Sequence, residues 1–120
     1  MSVSTHFRDF VLEQLQPVGR ITPKNMFGGV GLYHGAVFFA ILHNDVLYFK
    51  VDESTRKDYE AEAMIPFAPY KNKTATLQYY EVPAQVLENR ELLAEWAHQA
   101  IAVARKAKIP KATKRKKKSI

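Results

Sequence analysis

The sequence predicts an α+β domain of two layers, an antiparallel sheet of about five strands with helices packed on one face. Two observations carry this. Dense β-forming runs come in pairs, separated by short turns rich in Gly, Asn, Asp and Lys. Apolar residues at helical spacing stand at both ends of the chain and once between the strand groups, which gives the order helix, three strands, helix, two strands, helix. A length of 120 residues suits one domain, and a 47% apolar composition can fill its core.

At the N-terminus, Ser4 or Thr5 can cap a helix whose Phe7, Phe10, Val11 and Leu15 form an apolar stripe, and Pro17 and Gly19 end it. A loop over 18–24 leads to Met26-Phe27-Gly28-Gly29-Val30-Gly31-Leu32-Tyr33, read as a bent first strand. Glycine inside a strand marks a bulge, a positive φ or a close backbone approach. Met26, Phe27, Gly28, Gly29 and Gly31 are therefore a structural motif, with at least one glycine expected at positive φ or at an irregularity. A phosphate loop is a poor reading, because no Lys-Ser or Lys-Thr follows and Gly-x-Gly-x-x-Gly is absent.

His34-Gly35 is a turn, and residues 36–42 are apolar throughout. His43-Asn44-Asp45 is a tight hairpin connection, since Asn and Asp tolerate positive φ. The partner strand, 46–51, places Leu47, Phe49 and Val51 on one face. Ser54 caps a short helix to about Ala63 that can bury Tyr59 and Ala63. Pro66 and Pro69 bracket an extended segment with Phe67, and Lys71-Asn72-Lys73 is a second hairpin turn. The strand over 74–82 alternates Ala75, Leu77 and Tyr79 inward, leaving Tyr80 outward. Pro83 closes it and can open one helical turn to Leu87. Asn89 caps the final helix, whose stripe is Leu92, Leu93, Trp96, Ala100, Ile101 and Ala104; Pro110 stops it by disfavouring helix at Ile109.

Met26-Phe27-Gly28-Gly29-x-Gly31-Leu32-Tyr33, Leu47-Tyr48-Phe49-Lys50-Val51-Asp52 and Tyr79-Tyr80-Glu81-Val82-Pro83, followed by a helix around Leu92, Leu93, Trp96 and Ala97, resemble the N-terminal domain of the TfoX (Sxy) competence-regulator family. The resemblance runs from about Phe7 to Arg105. It implies a bacterial α+β domain tied to regulation, without an established catalytic site. Members that act in competence carry a second, C-terminal domain, which this chain does not include.

The charge is divided. Nine of the 18 basic residues fall within 105–120, where no acid occurs, while the other nine share the remainder with all 12 acids, a formal −3. The expected organisation is a domain over 1–109 and a disordered basic tail over 110–120. In that tail Lys111, Lys114, Arg115, Lys116, Lys117 and Lys118 are the candidate contacts to DNA or RNA phosphates. No cysteine is present, so there is no disulfide and no thiolate chemistry. No h-region stands at the N-terminus and no apolar run approaches 18 residues, which points to the cytoplasm and away from membranes.

Chemistry-bearing residues do not assemble into a catalytic set. His34 and His43 flank one strand and would lie roughly 25–30 Å apart at strand rise, too far to share a metal. His6 and His98 fall on different helices. Asp52-Glu53 and Asp58, Glu60 and Glu62 read as a solvated helix face, and no Ser or Thr has a nucleophile's context. Lys50, with Tyr48 on the same strand face, could hold an anion, although a snorkelling lysine is the simpler reading. Tyr70, Tyr79 and Tyr80 near Lys71 and Lys73 could stack bases, but with Tyr79 inward only Tyr80 would serve from that pair.

The expectation is a stand-alone, non-catalytic regulatory module, without cofactor or metal, acting on an unidentified regulatory protein partner. The alternative is a protein that binds phosphate backbones through its tail. A homodimer is also expected. Strict alternation puts Val37, Phe39 and Ile41 on one face and Ala36, Phe38, Ala40 and Leu42 on the other, and helices on one side leave one row to be covered by a second copy.

Overall fold

The computed structural model describes residues 3–26, 28–68 and 76–108. Within them four helices, α1 (Thr5–Gln14), α2 (Glu53–Ala61), α3 (Ala84–Leu87) and α4 (Arg90–Lys108), accompany six strands. The strands are β1 (Thr22–Met26), β2 (Gly29–His34), β3 (Val37–His43), β4 (Val46–Lys50), β5 (Pro66–Phe67) and β6 (Thr76–Glu81). They form one sheet in the order β1-β2-β3-β4-β6-β5, antiparallel at every pairing. The α+β class is as expected, with one strand more than the pattern suggested.

The additional strand is β1. Its sequence, Thr-Pro-Lys-Asn-Met, has no buried residue and no apolar alternation. It is an edge strand, where Pro23 is tolerated because only one side of the strand needs ladder donors. Met26 pairs with Gly29, so the glycine motif is a hairpin turn rather than the bend of a single strand. Gly28 occupies the turn at φ 77°, which fulfils the positive-φ expectation. The β3–β4 hairpin also closes as expected, with Asn44 at φ 52° and Asp45 at φ 58°.

Local signals set the helix ends. The Ser4 hydroxyl accepts from the Phe7 amide at 3.1 Å and starts α1. Asp52, not Ser54, caps α2. Its carboxylate accepts from the Ser54 and Thr55 amides at 3.0 Å, and the Thr55 hydroxyl accepts from the Asp52 amide at 3.1 Å. Asn89 caps α4 through the Leu92 amide. Ala63 adopts φ 60° beyond α2 and is exposed, so Tyr59 alone of the expected pair is buried.

The core lies between the helices and one face of the sheet. Phe39, Leu32, Leu42 and Phe49 from the sheet, Val11 of α1 and Leu15 at its C-terminal end, and Leu93 and Ala97 from α4 are fully buried. A large apolar side chain removed from water in this way contributes about 1.5–3 kcal/mol. α4 packs on β3 and β4. Tyr59 of α2 meets Trp96 of α4 at 4.7 Å between centroids and Tyr80 of β6 at 6.1 Å.

Two features redistribute side chains between the faces. In the β2–β3 pairing Leu32 opposes Ala40 and Tyr33 opposes Phe38, so Phe39 is an extra residue, a β-bulge. The bulge breaks the period of two: Phe39, Ala40 and Leu42 are all buried, while Phe38 is half-buried. The four residues expected to share an interface row therefore divide. Ala40 and Leu42 belong to the core, Ala36 is exposed in a turn, and Phe38 remains as the candidate on the far face. In the β4–β6 pairing Phe49 opposes Tyr80 and Lys50 opposes Tyr79, so Tyr80 points inward and Tyr79 outward, the reverse of the expected parity. The Lys71-Asn72-Lys73 turn, Tyr70, Ala75 and the residues from 109 onward lie outside the described residues, as do the side chains of Leu77 and Phe27.

Candidate functional site

The sheet face away from the core carries the least routine chemistry in the molecule. Opposed residues in an antiparallel pair share a face. With Leu32, Ala40, Phe49 and Tyr80 turned to the core, Tyr33, Phe38, Lys50 and Tyr79 project from the other side. Their rings meet in a row. Tyr33 and Phe38 stack at 5.2 Å between centroids with a 27° interplanar angle, and Phe38 meets Tyr79 at 5.9 Å. A lysine lies over each outer ring: the ammonium of Lys24, from β1, is 5.2 Å from the Tyr33 centroid, and that of Lys50 is 5.2 Å from Tyr79. From β1 to β6 the row reads Lys24, Tyr33, Phe38, Lys50, Tyr79. It crosses five adjacent strands, roughly 19 Å at sheet spacing.

The row borders a shallow groove of about 250 Å³ lined by Ala36, Phe38, Lys50, Tyr79 and, from the last turns of α4, Ala104 and Ala107. Lys50 Nζ also donates to Gln78 Oε1 at 3.0 Å. Neither Lys24 nor Lys50 takes part in an ion pair among the described residues. Burial lowers the Lys50 pKa, so its ammonium is partly desolvated against neutral partners. Burial, with Tyr33 contributing less, pushes the Tyr79 hydroxyl up to about 12, so this ring is a neutral phenol at physiological pH. Further along the face Phe67 meets Tyr48 at 4.8 Å and His43 at 5.5 Å, edge to face. Burial and, second, the Glu81 carboxylate raise the Tyr48 pKa.

A second cleft, about 470 Å³, opens between the start of α2 and the end of α4, lined by residues that include Asp52, Ser54, Gln99, Arg105 and Lys106. The Asp52 carboxylate already occupies the α2 N-terminus. Its pKa is held down first by the Ser54 side chain, against the opposing effect of burial, with the backbone amides of Thr55 and Ser54 and the Lys106 charge assisting. A bound anion there would meet that carboxylate. Two of the other acids singled out in the sequence have structural partners too: Glu60 accepts from the Tyr80 hydroxyl at 2.8 Å and Glu62 from Gln85 at 2.8 Å. Among the described residues no group of three or more His, Asp or Glu is placed to hold a metal, and no helix is long and apolar enough to cross a membrane.

Sequence reasoning singled out Lys50 and missed Tyr33, Lys24 and the outward Tyr79. The available signal was Lys50 itself: on a regular antiparallel strand, whatever opposes a lysine also faces away from the core. The tail candidates Lys111, Lys114, Arg115, Lys116, Lys117 and Lys118 lie outside the described residues.

Compared with known families, residues 13–104 match the model described as the TfoX N-terminal domain. No curated protein matches the chain.

Proposed function

The chain belongs to the TfoX N-terminal domain family, and from that premise we propose that it is a non-catalytic regulatory module, acting in competence or transcription control, that works by contact through the aromatic face of the sheet. One observation carries the reading. The face presents a half-buried aromatic row with a lysine over each outer ring, while every acid of the sequence-level candidate clusters that has a described partner serves a cap or a tertiary hydrogen bond. A surface with a half-buried aromatic centre and lysines that form no ion pair among the described residues is suited to binding rather than to bond-breaking.

The test is complementation. Transcript levels are compared between cells lacking the gene and the same cells carrying the wild-type chain, Phe38→Ala or Tyr33→Ala. Deletion should alter a defined set of transcripts, wild type should restore them, and the face variants should fail although they accumulate and melt like a folded protein. Unchanged transcripts on deletion refute the regulatory role. Full restoration by both face variants refutes the contact face. A second reading, phosphate binding by the tail, is favoured by the nine basic residues in 105–120 with no acid among them.

A further inference from the structure

The contact reading leaves the occupant of the face open. Resting on that reading, we propose that the occupant is single-stranded nucleic acid, with bases stacked along Tyr33, Phe38 and Tyr79 and phosphates held by Lys24 and Lys50.

The row has the composition such ligands require. Bases present π-faces to aromatic side chains, and backbone phosphates are neutralised by cations set beside them. Here three rings and two lysines share one row across five strands, with ring separations of 5.2 and 5.9 Å. Both ammonium groups rest on ring faces and neither has a carboxylate partner among the described residues, so a phosphate would displace no ion pair. A duplex keeps its bases stacked inside and offers such a row only phosphates, which leaves the rings unused.

Charge separates this occupant from a second copy of the chain. An isologous pairing would set Lys24 and Lys50 of one copy against the same row in the other, none of whose five residues is an acid, with Glu81 standing farther along the face beside Tyr48, and like charges brought together in an interface oppose association. The rest of the chain points the same way. The end of α4 walls the groove through Ala104 and Ala107, and the sequence from Arg105 onward carries nine basic residues and no acid.

The experiment measures binding of the full chain to fluorescent oligo(dT) and oligo(U) of twelve nucleotides, to a duplex of equal length and to poly-glutamate, at matched salt. Variants are Phe38→Ala, Tyr33→Ala, Lys50→Gln and a full-length chain with Lys114, Arg115, Lys116, Lys117 and Lys118 changed to Gln. Melting of each variant is recorded; should Phe38→Ala unfold, Tyr33→Ala and Lys50→Gln carry the test. The expected result is tighter binding to a single strand than to duplex or poly-glutamate, with each folded ring variant weakening it about 5- to 150-fold. The tail variant should lose affinity but keep the single-strand preference, and the two oligonucleotides tell DNA from RNA. No binding at low salt, equal affinity for all three polyanions, or wild-type binding by the folded ring and Lys50 variants would overturn the proposal. So would a sedimenting dimer that Tyr33→Ala dissociates in a chain that binds no oligonucleotide. Face variants that fail in complementation while single strands do not bind would leave the contact face standing with a protein occupant; variants that complement fully would remove both.

Discussion

Gly29→Ala should be the most damaging single-methyl change in the glycine motif. A Cβ built on Gly29 would sit 2.5 Å from the Leu42 carbonyl oxygen, a backbone atom of the neighbouring strand. Reaching 3.0 Å, below which real Cβ contacts essentially do not occur, requires β2 and β3 to part by about 0.5 Å at their ladder. No rotamer change can relieve it. Overpacking of this kind costs about 1–3 kcal/mol, and weakening one ladder hydrogen bond adds about 0.5–1.5 kcal/mol. Alanine returns about 0.4–1 kcal/mol by restricting the unfolded chain. Taking mid-values, the net loss is about 2 kcal/mol, or roughly 6–12 °C in Tm for a domain of this size. Gly28→Ala faces open space but must adopt φ 77°, at about 1–2 kcal/mol before the same compensation. Gly31→Ala meets Met26 Sδ and Phe38 Cε1 at 2.9 Å, side-chain atoms of which the methionine can swing aside. The assay is urea unfolding followed through the single tryptophan, Trp96, whose ring packs on Tyr59. A Gly29→Ala loss below about 1 kcal/mol, or a larger loss for Gly28→Ala, would refute the reasoning.

Three further outcomes follow from the same geometry. Asp52→Ala should destabilise by about 0.5–2 kcal/mol at pH 7 by uncapping α2. Because the folded-state pKa of Asp52 is depressed, its contribution is present above the ordinary carboxylate range near 3.9 and is lost as pH falls through the lower folded value. Unfolding curves of wild type and variant should therefore converge below about pH 4, and a pH-independent gap would contradict the cap. Tyr80→Phe should cost about 0.5–1.5 kcal/mol of unfolding free energy, read as a lower denaturant midpoint, since it removes the hydrogen bond to Glu60, whose exposed carboxylate water can satisfy. If five to seven tail cations neutralise phosphates, binding of the full chain to random duplex should follow a log–log salt slope of about −4.5 to −6. A chain ending at Ile109 should lose most of that slope, and equal binding by both would remove the tail from the account.

The sequence by itself determined the α+β class, the stripe of α4, the cap at Asn89, the positive-φ turn residues and the family, whereas Phe10 of the expected α1 stripe is exposed and Ser4 is one of two candidate caps. These are local properties. A cap reaches two or three residues, a helix repeats every 3.6, and a turn tolerates or refuses positive φ by residue type. β1 escaped because an edge strand needs no apolar alternation, and Thr22–Met26 has none. The tertiary structure alone decided which side chains reach the open face. Parity along a strand is read from its neighbour, and one extra residue inverts it. Phe39 is that residue in β3: nothing in seven consecutive apolar positions marks where the bulge falls, and its place sends Phe38 outward with Ala40 and Leu42 inside. Tyr79 and Tyr80 are adjacent and chemically alike, so only the pairing of β6 with β4, which sets Phe49 against Tyr80 and Lys50 against Tyr79, could choose between them. The candidate site consists of residues from five strands whose common face depends on four strand registers, and a register is a contact between distant segments that neither segment encodes alone.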